Sequence, residues 1–274
     1  MSREISAVEA ARRALAVQEQ DAEPLAVVTV VSAPVEDAVG RRVIVTESEV
    51  EGSLGSPERD ERAAGLAREA LSGGQPRLYE IQLEGGFWQL YVETVTAAPD
   101  LLIIGAGHIA RPLCRLGALL GFRVTVADDR PEYANTGSFP EAARVEVIDF
   151  SEPFQKIDVT ERSYVVLVTR GHKYDYDCIL ELLRMQARPA YLGMIGSRRR
   201  VRAAFEALVA DGVDPARLEG VHAPIGLDIG AETPEEIALS IAAELVAVRR
   251  GGSGQKLSEL EHVLKRVAGK PSEP

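Results

Sequence analysis

Apolar and polar positions change their period near residue 98. Ahead of that point, residues 2–20 place apolar side chains at helical spacing among charges, which predicts an amphipathic helix. The runs LAVVTVV at 25–31 and RVIVT at 42–46 are β-branched and predict strands. Residues 57–72 return to a helical period, with Pro57 suited to a first turn and Gly73-Gly74 to an end. Segments 77–83 and 87–95 alternate about Glu84-Gly85-Gly86, the pattern of a hairpin. Residues 1–97 therefore read as a small α+β domain, and Ala97-Ala98-Pro99-Asp100 as its linker.

From residue 98 to 250, short apolar runs alternate with amphipathic stretches. This order predicts an α/β Rossmann-like domain with a doubly wound parallel sheet. Strands are expected at 101–104, 123–127, 144–148, 163–168 and 190–194, and helices at 109–120, 174–186, 198–210 and 234–250. Thr233-Pro234-Glu235-Glu236 has the form of a capping box with proline in the first turn. Residues 251–274 read as a flexible Gly-Gly-Ser-Gly break, one more amphipathic helix at 257–267 suited to association, and a disordered tail.

Composition narrows the function. A formal net charge of −11 over 274 residues argues against a nucleic-acid surface and an anionic membrane surface. The polar start lacks the apolar core of a signal peptide, and no apolar run reaches bilayer length, so a cytoplasmic protein is expected. The two cysteines, Cys114 and Cys178, fall on apolar helix faces and read as buried thiols.

The stretch LLIIGAGHIARPLCRLGALLGFRVTVADD, residues 101–129, carries the chemistry. Gly105, Gly107 and Ala110 fit G-x-G-x-x-G/A between a strand and a helix. In that fingerprint the first glycine makes the turn, the second admits a pyrophosphate, and the small third residue lets helix and strand approach. Asp128 closes the second strand, where an acid meets a ribose 2′-hydroxyl. Ligands of open parallel sheets bind beyond the carboxyl ends of the strands. That rule gathers His108, Asp129, Arg130, Arg170, Gly171, His172, Lys173, Ser197, Arg198, Arg199 and Asp228 as candidates around a phosphorylated ligand. Each has a plainer reading. His108 could cap a turn, Asp129 and Arg130 could form a local ion pair, 198–200 could be a solvated helix face, and Asp228 and Glu232 could hold a turn or contact ligand. No metal-ligand spacing and no nucleophile–base–acid set is legible.

The segments GAGHIA, GFRVTVADDRPEYAN, VVLVTRGHKYD, YLGMIGSRRR and HAPIGLDIGAETPEEIALSI, in this order, resemble the XdhC/CoxI family of maturation factors for molybdenum hydroxylases. They span about residues 100–251. A looser likeness runs through LAVVTVVSAP, EGSLG and LYVETV in the first domain. The resemblance implies a cytoplasmic, homodimeric chaperone that binds the molybdenum cofactor, as molybdopterin or its dinucleotide form. It implies as partners a cysteine desulfurase that sulfurates the cofactor and an apo-hydroxylase of the xanthine or CO dehydrogenase type that receives it. Gly105, Gly107 and the first helix would take phosphate, Asp128 a ribose, and Arg170, His172, Ser197 and Arg198 would flank the ligand. One departure stands out. The family's first-domain turn has the form GSxSGGCVE, whereas 52–58 reads Gly-Ser-Leu-Gly-Ser-Pro-Glu, and the family's GCGG turn is reduced to Glu84-Gly85-Gly86. A thiolate is a soft ligand and sulfur carrier, so its absence bears on metal and sulfur handling. Two alternatives remain open. One is an NAD(P)-dependent oxidoreductase with His172 as acid–base, its Asp128-Asp129 pair favouring NAD over NADP. The other is a nucleotide-sensing regulator without chemistry.

Overall fold

A computed structural model describes residues 4–20, 23–73, 76–83, 85–185 and 188–260. The chain divides into two compact units, Met1–Ala98 and Pro99–Pro274.

The first unit contains α1 (Ala7–Gln20), β1 (Leu25–Ser32), β2 (Arg42–Val45), β3 (Val50–Gly52), α2 (Pro57–Gly73), β4 (Arg77–Leu83) and β5 (Gly86–Val95). Among the described residues these strands form an antiparallel sheet in the order β3-β2-β1-β5-β4. Helix α2 packs Ala63, Ala67 and Ala70 on the face bearing Val28, Val30, Trp88 and Leu90. Helix α1 packs Ala10 and Val17 on the opposite face, against Leu25, Val27 and Ile44. Strand β1 is thus covered on both faces, which is why it reads as a continuous apolar run and not as an alternation. The short β3 had no sequence signal, because its side chains are exposed or half-buried and its pairing is purely backbone, Val43 opposite Gly52.

The second unit contains β6 (Asp100–Ile104), α3 (Ala110–Leu119), β7 (Arg123–Asp128), β8 (Arg144–Val147), β9 (Ser163–Leu167), α4 (His172–Arg184), β10 (Tyr191–Met194), α5 (Arg198–Ala210), β11 (Val221–His222), α6 (Pro234–Arg250) and α7 (Leu257–Leu260). Its described strands form a six-stranded parallel sheet in the order β11-β10-β9-β6-β7-β8. Counted from β6, that is the Rossmann order 3-2-1-4-5-6 seen from its other edge, with the reversal between β6 and β9. Side-chain alternation along β6 serves both faces. Leu101 and Ile103 face α3 and α6 through Leu113, Ile241 and Leu245. Leu102 and Ile104 face α4 and α5 through Ile179, Leu182, Ala204 and Leu208. The sheet is therefore doubly wound.

Two differences from the sequence expectation have physical causes. Strand β11 is two residues long, too short for a period. Helix α4 begins at His172, two residues before the expected start, because extended Gly171 serves as its N-cap. Close approach of α3 to the sheet also requires Gly117, since a Cβ there would lie 2.5 Å from Leu101 Cδ2 and 3.1 Å from Val124 Cγ2. Of the helix expected at 257–267, the described part is α7. Residues 261–274 lie outside the described residues, as do the first residues of the helix expected at 2–20.

Candidate functional site

At the reversal point, β6 and β9 end side by side and their following loops diverge. Gly105 N–H donates to Ala127 O at 2.7 Å, and Val168 N–H donates to Ile104 O at 2.9 Å. Gly105 has φ +111°, and a Cβ would stand 2.5 Å from Val168 O. This position accepts only glycine. The opening between the loops is a cleft of roughly 470 Å³. Its walls include Ala106, Gly107, His108, Ile109 and Arg111 from the glycine turn and the start of α3. Asp128, Arg130 and Tyr133 follow β7, Val168, Thr169 and Arg170 follow β9, and Glu232, Pro234 and Ile237 come from the entry to α6.

The floor of the cleft is rich in unpaired donors. Ile109, the N-cap of α3, makes no side-chain cap hydrogen bond. Among the described residues, the N–H groups of Gly107, His108 and Ile109 have no acceptor, while Ala106 N–H is bonded to Asp128 at 2.8 Å. Unpaired N–H groups and the positive end of the α3 dipole make this turn suited to a phosphate. Gly107 lacks a left-handed φ, and a Cβ there would meet nothing within 4 Å. The packing of the chain therefore does not require glycine at this position.

The rim is an acid–arginine quartet. Buried Asp128 accepts from Ala106 N–H, Arg130 N–H at 3.1 Å, Arg130 Nε at 2.8 Å and Arg130 Nη2 at 3.0 Å. Asp129 accepts from Arg170 Nη1 at 2.6 Å and Nη2 at 2.8 Å. Cross-contacts of 3.7 and 3.8 Å tie Arg170 to Asp128 and Arg130 to Asp129. The guanidinium of Arg130 lies 4.0 Å from the Tyr133 ring centre and that of Arg170 lies 4.5 Å from that of Tyr174. Burial pushes the Asp128 carboxyl up, but the hydrogen bonds from Arg130 and Ala106 outweigh it and bring it from 3.8 down to about 2. A depressed carboxyl stabilises the fold above its unfolded value and loses that contribution as pH falls from about 4 towards 2. Asp128→Asn is expected to be less stable at pH 7 and to flatten the acid limb of the stability curve as pH falls below about 4. Urea unfolding of both proteins across that range checks it, and parallel curves would contradict it.

Of the residues singled out from sequence, the structure brings Gly107, His108, Asp128, Arg130, Arg170 and Glu232 to the cleft wall. Gly105 lies behind it, and Asp129 joins through Arg170. Ala110 is fully buried under the turn, as its role in close packing requires. Gly171 precedes α4, with its carbonyl accepting from Thr169 Oγ1 at 3.0 Å. His172 begins that helix, but its side chain lies outside the described residues. Ser197 caps α5 by accepting from Arg200 N–H. Ser197, Arg198 and Asp228 are exposed and are not among the cleft-lining residues. Tyr133, Thr169 and Arg111 were missed. The tyrosines carried a readable signal, since each follows its arginine by three or four residues, the spacing that lets side chains meet within one helical turn.

The turn at 52–58 in the first unit is closed on itself. Ser53 Oγ donates to Asp60 Oδ2 at 2.7 Å, Leu54 N–H donates to Asp60 Oδ1 at 2.6 Å, and Leu54 is fully buried. Both cysteines lie in the second unit with no exposed surface. Burial pushes the Cys114 thiol up to about 11 and the Cys178 thiol still higher. Neither is expected to react with Ellman's reagent at pH 8 in the native protein, and both should react in guanidinium. Rapid native labelling of either would contradict this burial. Among the described residues no group of three or more His, Cys, Asp and Glu is placed to hold a metal ion, and no helix is long and apolar enough to cross a membrane.

Comparison with known proteins agrees with this architecture. Residues 101–245 match the family model of the XdhC Rossmann domain, and residues 18–82 match that of the XdhC and CoxI family. The uncharacterized protein YqeB of Escherichia coli (strain K12) is 28% identical over 232 residues, covering 80% of this chain and 42% of its own length. A probable xanthine dehydrogenase subunit of Bacillus subtilis (strain 168) is 30% identical over 161 residues, covering 59% of this chain and 46% of its own length. The chain thus spans less than half the length of these curated relatives. A crystal structure described as that of a xanthine dehydrogenase from Bacillus halodurans shares the fold, with a TM-score of 0.52 at 18% identity over 93% of this chain and 98% of that one. The Rossmann strand order, the glycine turn at its reversal point and the two family matches together identify the chain as a member of the XdhC and CoxI family.

Proposed function

We propose that this chain is a maturation factor for a molybdenum hydroxylase of the xanthine or CO dehydrogenase type. It binds the molybdenum cofactor, assists its sulfuration and hands it to the apo-enzyme. The observation that carries this reading is the cleft of the family's Rossmann unit, with three unpaired N–H groups at the start of α3. A phosphate, from the mononucleotide or the dinucleotide form, fits those donors and the α3 dipole. The name of the Bacillus subtilis relative adds support for the hydroxylase connection.

The fit is confined to the anionic tail. When bound, the cofactor supplies its metal–dithiolene chemistry. Of this chain's own residues, Gly107, His108 and Ile109 hold the phosphate through N–H groups, Asp128 holds the turn that presents them, and Arg130 and Arg170 flank it. Neither thiol reaches the surface, so sulfur delivery falls to the partner desulfurase and metal ligation to groups other than cysteine. The working form is a cytoplasmic homodimer that meets the desulfurase and the apo-hydroxylase, without nucleic acid or membrane.

A host strain lacking this gene is the test. The hydroxylase purified from it should contain little sulfurated cofactor and little activity. A wild-type copy should restore both, and a Gly107→Val copy should restore neither. Fully active hydroxylase without the gene would reject the reading.

A further inference from the structure

The quartet at the rim has a donor–acceptor balance that bears on what it reads. A carboxylate offers about four acceptor positions. Asp128 fills them with Ala106 N–H and with Arg130 N–H, Nε and Nη2. Asp129 takes both terminal nitrogens of Arg170. A ribose hydroxyl donating to Asp128 would displace a guanidinium or the N–H that holds the glycine turn, so only the more exposed Asp129 keeps acceptor positions open. Donors, by contrast, are left over. A guanidinium carries five N–H groups. Arg130 directs its Nε and Nη2 at Asp128, and Arg170 directs its terminal nitrogens at Asp129 and Tyr174 Oη. The remaining N–H groups of both belong to residues that line the cleft. The tyrosine rings beneath them hold the two guanidinium planes in place.

The two ion pairs also differ in how readily they exchange. Arg130–Asp128 joins side chains 28% and 3% exposed, whereas Arg170–Asp129 joins side chains 37% and 28% exposed. A pair as open as the second contributes little to stability, so an incoming anion can take Arg170 from Asp129 at small cost.

We infer that the crevice takes a ligand with two separated anionic groups, one on the N–H groups at the start of α3 and the second on Arg130 and Arg170. The second group is a phosphate or another acceptor-rich anion, on a scaffold the size of a nucleoside. This inverts the expectation that Asp128 reads a free 2′-hydroxyl and that the Asp128-Asp129 pair repels a 2′-phosphate. It rests on the crevice being the cofactor site and adds the chemistry that the site selects.

Calorimetric titration in about 50 mM salt, where exposed charges are weakly screened, tests it with three probes: adenosine 5′-monophosphate, adenosine 2′,5′-bisphosphate and inorganic phosphate. The bisphosphate is expected to bind about tenfold more tightly than the monophosphate, in keeping with a charge-assisted bidentate contact. Arg170→Gln should abolish that difference. Asp129→Asn, which frees Arg170, should tighten bisphosphate binding severalfold and leave monophosphate binding unchanged, an effect of the opposite sign to damage. Equal affinities, no detectable bisphosphate binding, an inert Arg170→Gln, or weaker bisphosphate binding by Asp129→Asn would each overturn the inference. So would inorganic phosphate binding as tightly as the bisphosphate, since the spacing of the two groups would then be irrelevant. Discrimination between nucleotides with a hydroxylase that matures normally without the gene would reject the maturation role alone. Loss of discrimination with normal dependence on the gene would reject the two-anion site alone.

Discussion

Gly105→Val is expected to cost the fold about 3 kcal/mol, the sum of a left-handed backbone strain and an overpacked contact. Gly105 sits at φ +111°, where a β-branched residue is strained. Its Cβ would lie 2.5 Å from Val168 O, 2.8 Å from Val168 C and 3.0 Å from Thr169 Cα, all of them backbone. These atoms cannot move aside without parting β6 from β9, whose pairing runs from Asp100 opposite Ser163 to Ile104 opposite Leu167. Urea unfolding followed by far-UV circular dichroism should show a lower midpoint at an unchanged slope. A loss below about 1 kcal/mol would mean that the two strands do not meet as described.

Gly107→Val, two residues further on, is expected to behave in the opposite way. Its backbone is not left-handed and nothing lies within 4 Å of a Cβ at this position. Stability should stay within about 0.5 kcal/mol of wild type. The branched side chain would instead stand in front of the unpaired N–H groups of the turn, and retention of a phosphate-bearing ligand should fall by about 100-fold or more, close to 3 kcal/mol. Ligand affinity measured beside the unfolding midpoint separates the two effects. An affinity equal to that of wild type would move the phosphate away from this turn. The glycines of one motif therefore differ in their surroundings, the first wedged between two strands and the second facing open space.

Much of the fold was legible because burial imposes its period on the sequence. The runs at 101–104 and 164–168 are apolar throughout because helices cover both faces of their strands. The hairpin at 77–95 alternates because its outer face retains exposed positions such as Leu78, Phe87 and Tyr91. Strands β3 and β11 left no such trace, being short edges held by backbone bonds.

The site was only half legible, for a different reason. Motif spacing identifies which residues follow strand ends, but the lateral order of strands decides which ends adjoin. The cleft opens between β6 and β9, and β10 lies one strand further out. That displacement accounts for Ser197 and Arg198 standing apart from the cleft wall although their segment follows a strand end. The occupation of Asp128 by Ala106 N–H and Arg130 has no signature in spacing either, since it depends on how the glycine turn folds back over the end of β7. Asp128 and Arg130 were recognised as candidates, yet their engagement with each other changes what they can offer to a ligand.

The decisive measurement is the identity of what the cleft retains. Purified protein is incubated with molybdenum cofactor or with NAD(H) and freed of unbound ligand. The pterin is then assayed by oxidation and fluorescence and the nucleotide by mass. Stoichiometric pterin on the wild-type protein, absent from an equally stable Gly107→Val, is the outcome expected of a maturation factor that holds the cofactor through the α3 turn. NAD(H) retained without pterin, or pterin retained equally by Gly107→Val, would contradict it.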